Sequence, residues 1–339
     1  MGLQLRIFRV ELVIVVLILP LLLTGCGGGG GDGSRGSAGV SNGASGGTGG
    51  PEKKTLTVAG LPLADVAALH IAIDRGLFAE QGLTVRVRPV QQSVQALPAL
   101  ANGQVDIIGG ANYVTFLQAR ERGTLATRVL AEAARNAPRL MGVLVLPDSE
   151  IRTPEDLRGK RVGVNILNNI QSLSLNSALR ERGAGLPAYL QVPFPQMGAL
   201  LERGQVDAVH AVEPFASAIK RDLNARTVID GAASPADGLP LSGYVTTQRF
   251  TDTYPRTAAA FQRAIAAAQT IADRDRDAVE QVLPGYTKIE PAEAAAIGLP
   301  GYPPVSSSAE LTRLIAMMRD QGLLTKDMDA ADLLFEPGR

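Results

Sequence analysis

The chain has 339 residues, room for two domains of ordinary size, and its 33 Lys and Arg balance 33 Asp and Glu, so no charge excess points to a nucleic-acid partner. With 45% hydrophobic residues it can bury a sizeable core, which excludes disorder over most of its length. One Cys and two His exclude a disulfide framework and leave no cluster with metal-ligand spacing.

At the N-terminus, Arg6 and Arg9 precede an apolar run over residues 12–23, the layout of a secretory signal. The run is too short to cross a hydrocarbon core of about 30 Å as a helix. Leu23-Thr24-Gly25-Cys26 follows, and the only Cys sits between glycines with no core to enter. The segment resembles a bacterial lipobox, which makes residues 1–25 a signal peptide and Cys26 a lipidated first residue. Residues 26–54, rich in Gly and Ser, read as a flexible linker. Gly31, Gly33 and Gly36, and Gly43, Ser45 and Gly47, spell GxGxxG and GxSxG by coincidence, since neither lies between a strand and a helix.

From Thr55 onward short apolar strands alternate with amphipathic helices. Residues 56–59 form a strand, followed by a helix whose Leu69, Ile73 and Leu77 recur every four positions. Strands at 84–90 and 106–109 enclose a helix at 94–102. The rhythm breaks near Leu146, and Thr153 then reads as an N-cap with Pro154 at the first helical position. Strands at 161–165, 188–192, 207–212 and 226–229 and helices at 170–182 and 196–203 follow. Beyond Pro240 the sequence becomes largely helical. Phe261, Ile265 and Ala268 on one helix, and Leu311, Leu314, Met317 and Met318 on another, read as amphipathic support for the first lobe. Residues 333–339 carry no legible signal.

Leu100, Gly103, Gln104, Val105 and Asp106 recur 101 positions later as Leu201, Gly204, Gln205, Val206 and Asp207. In both copies the Gly would end a helix and the next residues enter a buried strand. The expected fold is therefore α/β with two lobes of similar build, each a mainly parallel sheet flanked by helices, with a hinge. Residues 55–146 with 241–339 would form lobe one, and 147–240 lobe two. A ligand would sit between them, where strand ends and helix N-termini converge.

Gly60-Leu61-Pro62, Asp74-Arg75-Gly76-Leu77-Phe78, Gln81-Gly82-Leu83, the segment from Leu100 to Asp106, the run from Asp156 to Val164, and Glu213-Pro214-Phe215 together resemble the ABC-transporter solute-binding proteins of the nitrate, taurine and sulfonate group. The resemblance implies a periplasmic-binding-protein fold of the second type, a permease and an ATPase as partners, and no chemistry on the ligand; with the lipobox, the expectation is a monomer without a cofactor, held outside the cytoplasm by a lipid anchor. It also implies a pocket lined by Leu63, Ala64 and Asp65, by Gly110, Ala111, Asn112 and Tyr113, by Asn168, Asn169, Gln171 and Ser172, and by Glu213 and Phe215.

Each of these polar residues also has a purely structural role open to it. Asn112 fits an N-cap as well as a ligand donor. Asn168 and Asn169 fit a turn, or beside Ser172 an anion's oxygens. Tyr113 could pack the core or reach the ligand. Glu213 could cap its helix or receive an amine. The chain has no Trp, and Val212 stands where relatives often carry one, so aromatic stacking must come from Tyr or Phe. Arg135 and Arg139 lie near the hinge, and no Arg sits at an expected strand-to-helix junction, which leaves a sulfonate or nitrate ligand without an obvious cation. The rival readings are an enzyme resembling those that make the thiamin pyrimidine, a receptor for a pyrimidine or other aromatic compound, and a tethered sensor. Against the enzyme, Cys26 is assigned to lipidation, and His70 and His210 fall where packed histidines are usual.

Overall fold

The computed structural model describes residues 49–338; the expected signal peptide, Cys26 and residues 26–48 of the expected linker lie outside the described residues. Among the described residues, ten strands form two five-stranded sheets. The strands are β1 (Thr55–Gly60), β2 (Thr84–Pro89), β3 (Ile107–Asn112), β4 (Thr127–Arg135), β5 (Met141–Val145), β6 (Arg161–Val164), β7 (Ala188–Gln191), β8 (Ala208–Val212), β9 (Arg226–Asp230) and β10 (Pro240–Thr247). The spatial orders are β2-β1-β3-β10-β4 and β7-β6-β8-β5-β9.

The two orders are the same pattern. In each sheet the first three strands in that order pair in parallel, and β10 or β5 pairs antiparallel with both its neighbours. These two reversed strands are the ones that arrive from the other sheet. The chain leaves the first sheet after β4 and returns after β9, and the two crossings bind each other. Asn136 N donates to Leu239 O at 2.9 Å and Gly238 N to Asn136 O at 3.0 Å, while Asn136 Nδ2 donates to Ala236 O at 3.2 Å.

Three boundaries differ from expectation. Residues 141–145, placed in the first lobe by sequence, pair with β8 and β9 in the second sheet, so the crossing precedes them. Residues 51–54, expected in the flexible linker, are bound to the body: Glu52 accepts from Arg256 N at 3.1 Å and Thr257 N at 2.8 Å, capping the first turn of the helix Pro255–Arg274, and Lys53 pairs with Asp106. Residues 240–247, expected to begin a helical region, form the buried strand β10.

The repeat marks equivalent points. Gly103 and Gly204 have φ of 79° and 65°, the left-handed geometry that stops the helices Leu97–Ala101 and Met197–Glu202 and that disfavours any side chain. Three residues later each Asp clamps the start of a neighbouring strand. Thr57 N donates to Asp106 Oδ2 at 3.0 Å, and Arg161 N to Asp207 Oδ2 at 2.7 Å.

Helix packing follows the apolar pattern with two exceptions. Ile73, expected on the buried face of its helix, is 37% exposed because the helix Ala67–Asp74 stops before Gly76 and buries Leu69, Ile71 and Ala72 instead. Phe261, Ile265 and Ala268 do pack in the core beneath the first sheet. Leu311, Leu314 and Met318 join a cluster that spans both sheets, with Ile108 and Val245 of the first and Ile170 and Leu173 beside the second. Gln321, at the end of that helix, donates to Leu173 O at 3.0 Å and Ser177 Oγ at 2.7 Å, so this helix braces both lobes. Among the described residues no helix is long and apolar enough to cross a membrane.

Candidate functional site

The carboxyl ends of β1, β3, β6 and β8 and the start of the reversed strand β10 meet in one cleft between the sheets. It is lined by Leu61, Leu63, Asp65 and Ser93 from the turns after β1 and β2, by Gly110 and Asn112 of β3, and by Leu241 and Ser242 of β10. Facing them are Asn165, Ile166, Asn169, Ile170 and Gln171 after β6, Phe194 after β7 and Val212 of β8. The lobes close on it, leaving a cavity of about 30 Å³. This is where an α/β protein of this topology gathers free backbone groups and loop side chains.

Among the described residues Asp65 is the only acidic side chain in the lining. It is 4% exposed, and burial raises its carboxyl from 3.8 to about 6, against the lowering effect of Ser242. Ser242 Oγ donates to Asp65 Oδ2 at 2.7 Å, and Oδ1 has no partner. The turn that carries it is fixed from behind: Tyr286 Oη donates to Leu63 O at 3.0 Å and Tyr302 Oη to Ala64 O at 2.8 Å. Gly110 is held at φ 72° against Val66 and Leu61, a close approach that a Cβ would crowd.

On the other wall Gln171 organises the loop after β6. Its Oε1 accepts from Asn165 N at 2.9 Å and from Asn169 Nδ2 at 2.8 Å, and its Nε2 donates to His210 O. Asn169 caps the helix Ile170–Glu181, accepting from Ser172 N at 3.2 Å while Ser172 Oγ accepts from Asn169 N at 3.1 Å. Asn112 caps the helix Tyr113–Glu121 in the same way, through Thr115 N at 3.3 Å. Asn165 Oδ1 is buried without a partner.

Of the residues implied by resemblance, Leu63, Asp65, Gly110, Asn112, Asn169 and Gln171 line the cleft. The others do not. Ala64 and Ala111 are buried beneath it. Tyr113 is buried with its ring over Gly243, where a Cβ would lie 2.4 Å from its hydroxyl. Asn168 is exposed, at φ 53°, and only its carbonyl is used, accepting from Gln118 Nε2 at 2.7 Å. Ser172 is spent on the cap. Glu213 caps the helix Phe215–Leu223, accepting from Ser217 N at 3.0 Å and Ser217 Oγ at 2.8 Å, while burial raises its carboxyl. Phe215 stacks behind Phe194, ring centroids 5.5 Å apart, so the aromatic face in the cleft is that of Phe194.

Sequence reasoning missed Ser93, Asn165, Phe194 and Ser242. A polar residue inside the apolar start of β10 is the one signal that could have found Ser242. The arginines near the crossings are engaged elsewhere: Arg135 Nε donates to buried Glu132 at 2.6 Å, and the Arg139 guanidinium donates to Ala296 O at 3.3 Å. Neither histidine lines the cleft. His70 stacks on Tyr286 at 3.7 Å, and burial lowers its imidazole to about 4. His210 lies under Gly231, likewise lowered to about 4 by burial.

A family model described as NMT1/THI5 like matches residues 64–277, and no curated protein matches the sequence. Among solved structures, the alkanesulfonate-binding protein SsuA from Xanthomonas axonopodis pv. citri, bound to MOPS, is 21% identical, with TM-score 0.70, 84% of this chain and 99% of that chain covered. The periplasmic nitrate-binding protein NrtA from Synechocystis PCC 6803 is 15% identical, with TM-score 0.67 and 83% and 85% covered. The desulfurization enzyme DSZB is 17% identical, with TM-score 0.62 and 83% and 96% covered. At these identities the likeness is one of fold: two lobes, each a mixed sheet flanked by helices.

Proposed function

The chain belongs to the NMT1/THI5-like family, and from that premise we propose that it is an extracytoplasmic solute-binding lipoprotein that closes on a small polar molecule and delivers it to an ABC permease and its ATPase. The observation that carries this reading is the lining itself. Asp65 and Ser242 on one wall face Asn165, Asn169 and Gln171 on the other, so a molecule held between them would be gripped by both sheets at once and would favour closure about the crossings at Asn136 and Leu239.

In this reading residues 1–25 are removed, Cys26 is lipidated, and residues 26–50 tether a monomeric body to the membrane. The moving lobes are residues 51–135 with 240–338, and 141–230. The neighbours with sulfonate-binding and nitrate-binding names support solute capture as the role. A sulfonate, taurine or nitrate-like ligand is the finer expectation from the resemblance, yet among the described residues the lining holds no Lys, Arg or His. The fold is shared with an enzyme, so recovery of the solute unchanged is the criterion that separates binding from turnover.

A thermal-shift screen over sulfonates, nitrate, aromatic carboxylates and pyrimidines tests the reading. A solute bound by the folded state raises the melting temperature in proportion to the logarithm of its concentration and is recovered unchanged. Conversion of a solute to a product would replace this function with an enzymatic one. Mass spectrometry of the mature N-terminus tests lipidation at Cys26.

A further inference from the structure

The charge of the solute, within the solute-binding reading on which this rests, follows from which polar atoms of the cleft are already used. We propose that the cleft selects a small protonated amine, its N–H groups donating to Asp65 Oδ1 and Asn165 Oδ1 and its hydrocarbon part lying against Leu61, Ile166 and Phe194, and that it rejects an oxyanion.

Three observations converge on this assignment. Asp65 is buried in the lining with one oxygen bonded to Ser242 and the other unpartnered, and Asn165 Oδ1 is a second buried acceptor without a donor. A buried acceptor with no donor is costly, and a charged one more so, so a ligand that brings N–H groups pairs both acceptors.

The anion-binding devices of such a cleft are meanwhile partly engaged. Helix N-termini attract oxyanions through free backbone N–H groups, and here one such group on each helix is already bonded, Ser172 N to Asn169 Oδ1 and Thr115 N to Asn112 Oδ1. Among the described residues no cation lines the cleft, so an oxyanion would face the Asp65 carboxylate uncompensated. The remaining lining is largely apolar, with Leu61, Leu63, Ile166, Ile170, Phe194, Val212 and Leu241, which suits a hydrocarbon substituent.

The titratable groups whose charges act with Asp65 are Tyr244 on β10, Tyr286 on the helix Arg276–Tyr286 and Tyr302. Burial pushes all three phenols up, away from neutrality. Asp65, at about 6, is thus the group of this cluster that changes charge near pH 6. Below that pH an amine loses its partner, whereas an oxyanion would gain a neutral acid as donor.

The two ligand classes therefore predict opposite pH profiles. Full-chain protein is titrated calorimetrically with methylamine, butylamine and benzylamine, and with methanesulfonate, butanesulfonate, benzenesulfonate and nitrate, at about pH 5 and about pH 7.5. An amine is expected to bind about tenfold more tightly at the higher pH, and Asp65→Asn to lose about tenfold or more there and flatten the profile. A sulfonate or nitrate that binds, with affinity falling as pH rises and retained or improved in Asp65→Asn, overturns the amine assignment and leaves solute binding intact. Silence from every probe overturns the assignment and counts against solute binding as well. If Asp65→Asn fails to fold, the direction of the wild-type profile decides alone.

Discussion

Gln92, in the turn after β2, donates from Nε2 to the backbone carbonyl of Asn165, after β6, at 2.5 Å, so one buried amide joins the two walls of the cleft. Gln118 repeats the arrangement, donating to Asn168 O at 2.7 Å. Neither partner is a side chain, so both links depend only on where the β6 loop sits. Replacing Gln92 and Gln118 together by Ala should remove about 2 kcal/mol from the closed arrangement, roughly a thirtyfold shift toward the open one. Spin-label distances between the lobes should lengthen, while thermal stability changes little; unchanged distances would show that packing alone holds the lobes.

Asp65 should make stability depend on pH in a direction opposite to most carboxylates. Its folded-state value of about 6 lies above the ordinary 3.8, so its contribution is fully present below about pH 4 and is lost as pH rises through about 6. Asp65→Asn, which cannot ionise, should gain on the wild type by on the order of 3 kcal/mol between about pH 4 and about pH 7.5. Denaturant unfolding at the two pH values checks this; a constant difference would place the carboxylate in a more polar setting than its burial indicates.

Asp106 and Asp207 occupy the same point of their two sheets, yet their substitutions should differ. Asp106 is 6% exposed and binds Thr57 N and Lys53 Nζ, so Asp106→Asn should cost about 2 kcal/mol, since it weakens charge-assisted bonds in a buried place. The Asp207 side chain is 30% exposed and pairs with a solvent-facing Arg161, so Asp207→Asn should cost less. Equilibrium unfolding of the two variants measures the difference; equal losses would contradict the burial argument.

Asn169→Ala should lower stability by about 1 kcal/mol, because it removes the cap of the helix Ile170–Glu181. Asn169→Asp should lose at least as much, since its carboxylate keeps the bond from Ser172 N but replaces the Nδ2 donor to Gln171 Oε1 with an oxygen in a buried place. Loss of ligand affinity in Asn169→Ala without loss of stability would assign the side chain to the ligand instead.

The parallel half of each sheet was legible because its inner strands are short apolar runs and the edge strand Thr84–Pro89 alternates, and the recurrence of Asp106 as Asp207 announced two similar units. The reversed strands were not. β10 reads Pro-Leu-Ser-Gly-Tyr-Val-Thr-Thr and is buried throughout, so it shows neither the alternation of a half-exposed strand nor the apolar run of a parallel one. Its small residues are explained only by tertiary contacts, such as Gly243 beneath the Tyr113 ring. The site was half legible for a related reason. Asp65 and Asn169 follow recognisable strands, whereas Ser242 reaches Asp65 across 177 residues, and Phe194 enters after an edge strand with no local mark of its role.

Native mass spectrometry of the protein purified without refolding tests capture of a solute in the cleft most directly, with Ser93→Trp as a variant that fills the space between the walls. The expected result is a noncovalent one-to-one adduct with a small molecule, released chemically unchanged on denaturation and missing from Ser93→Trp. An adduct that persists in Ser93→Trp, or a molecule that is converted when added back to the protein, would contradict it.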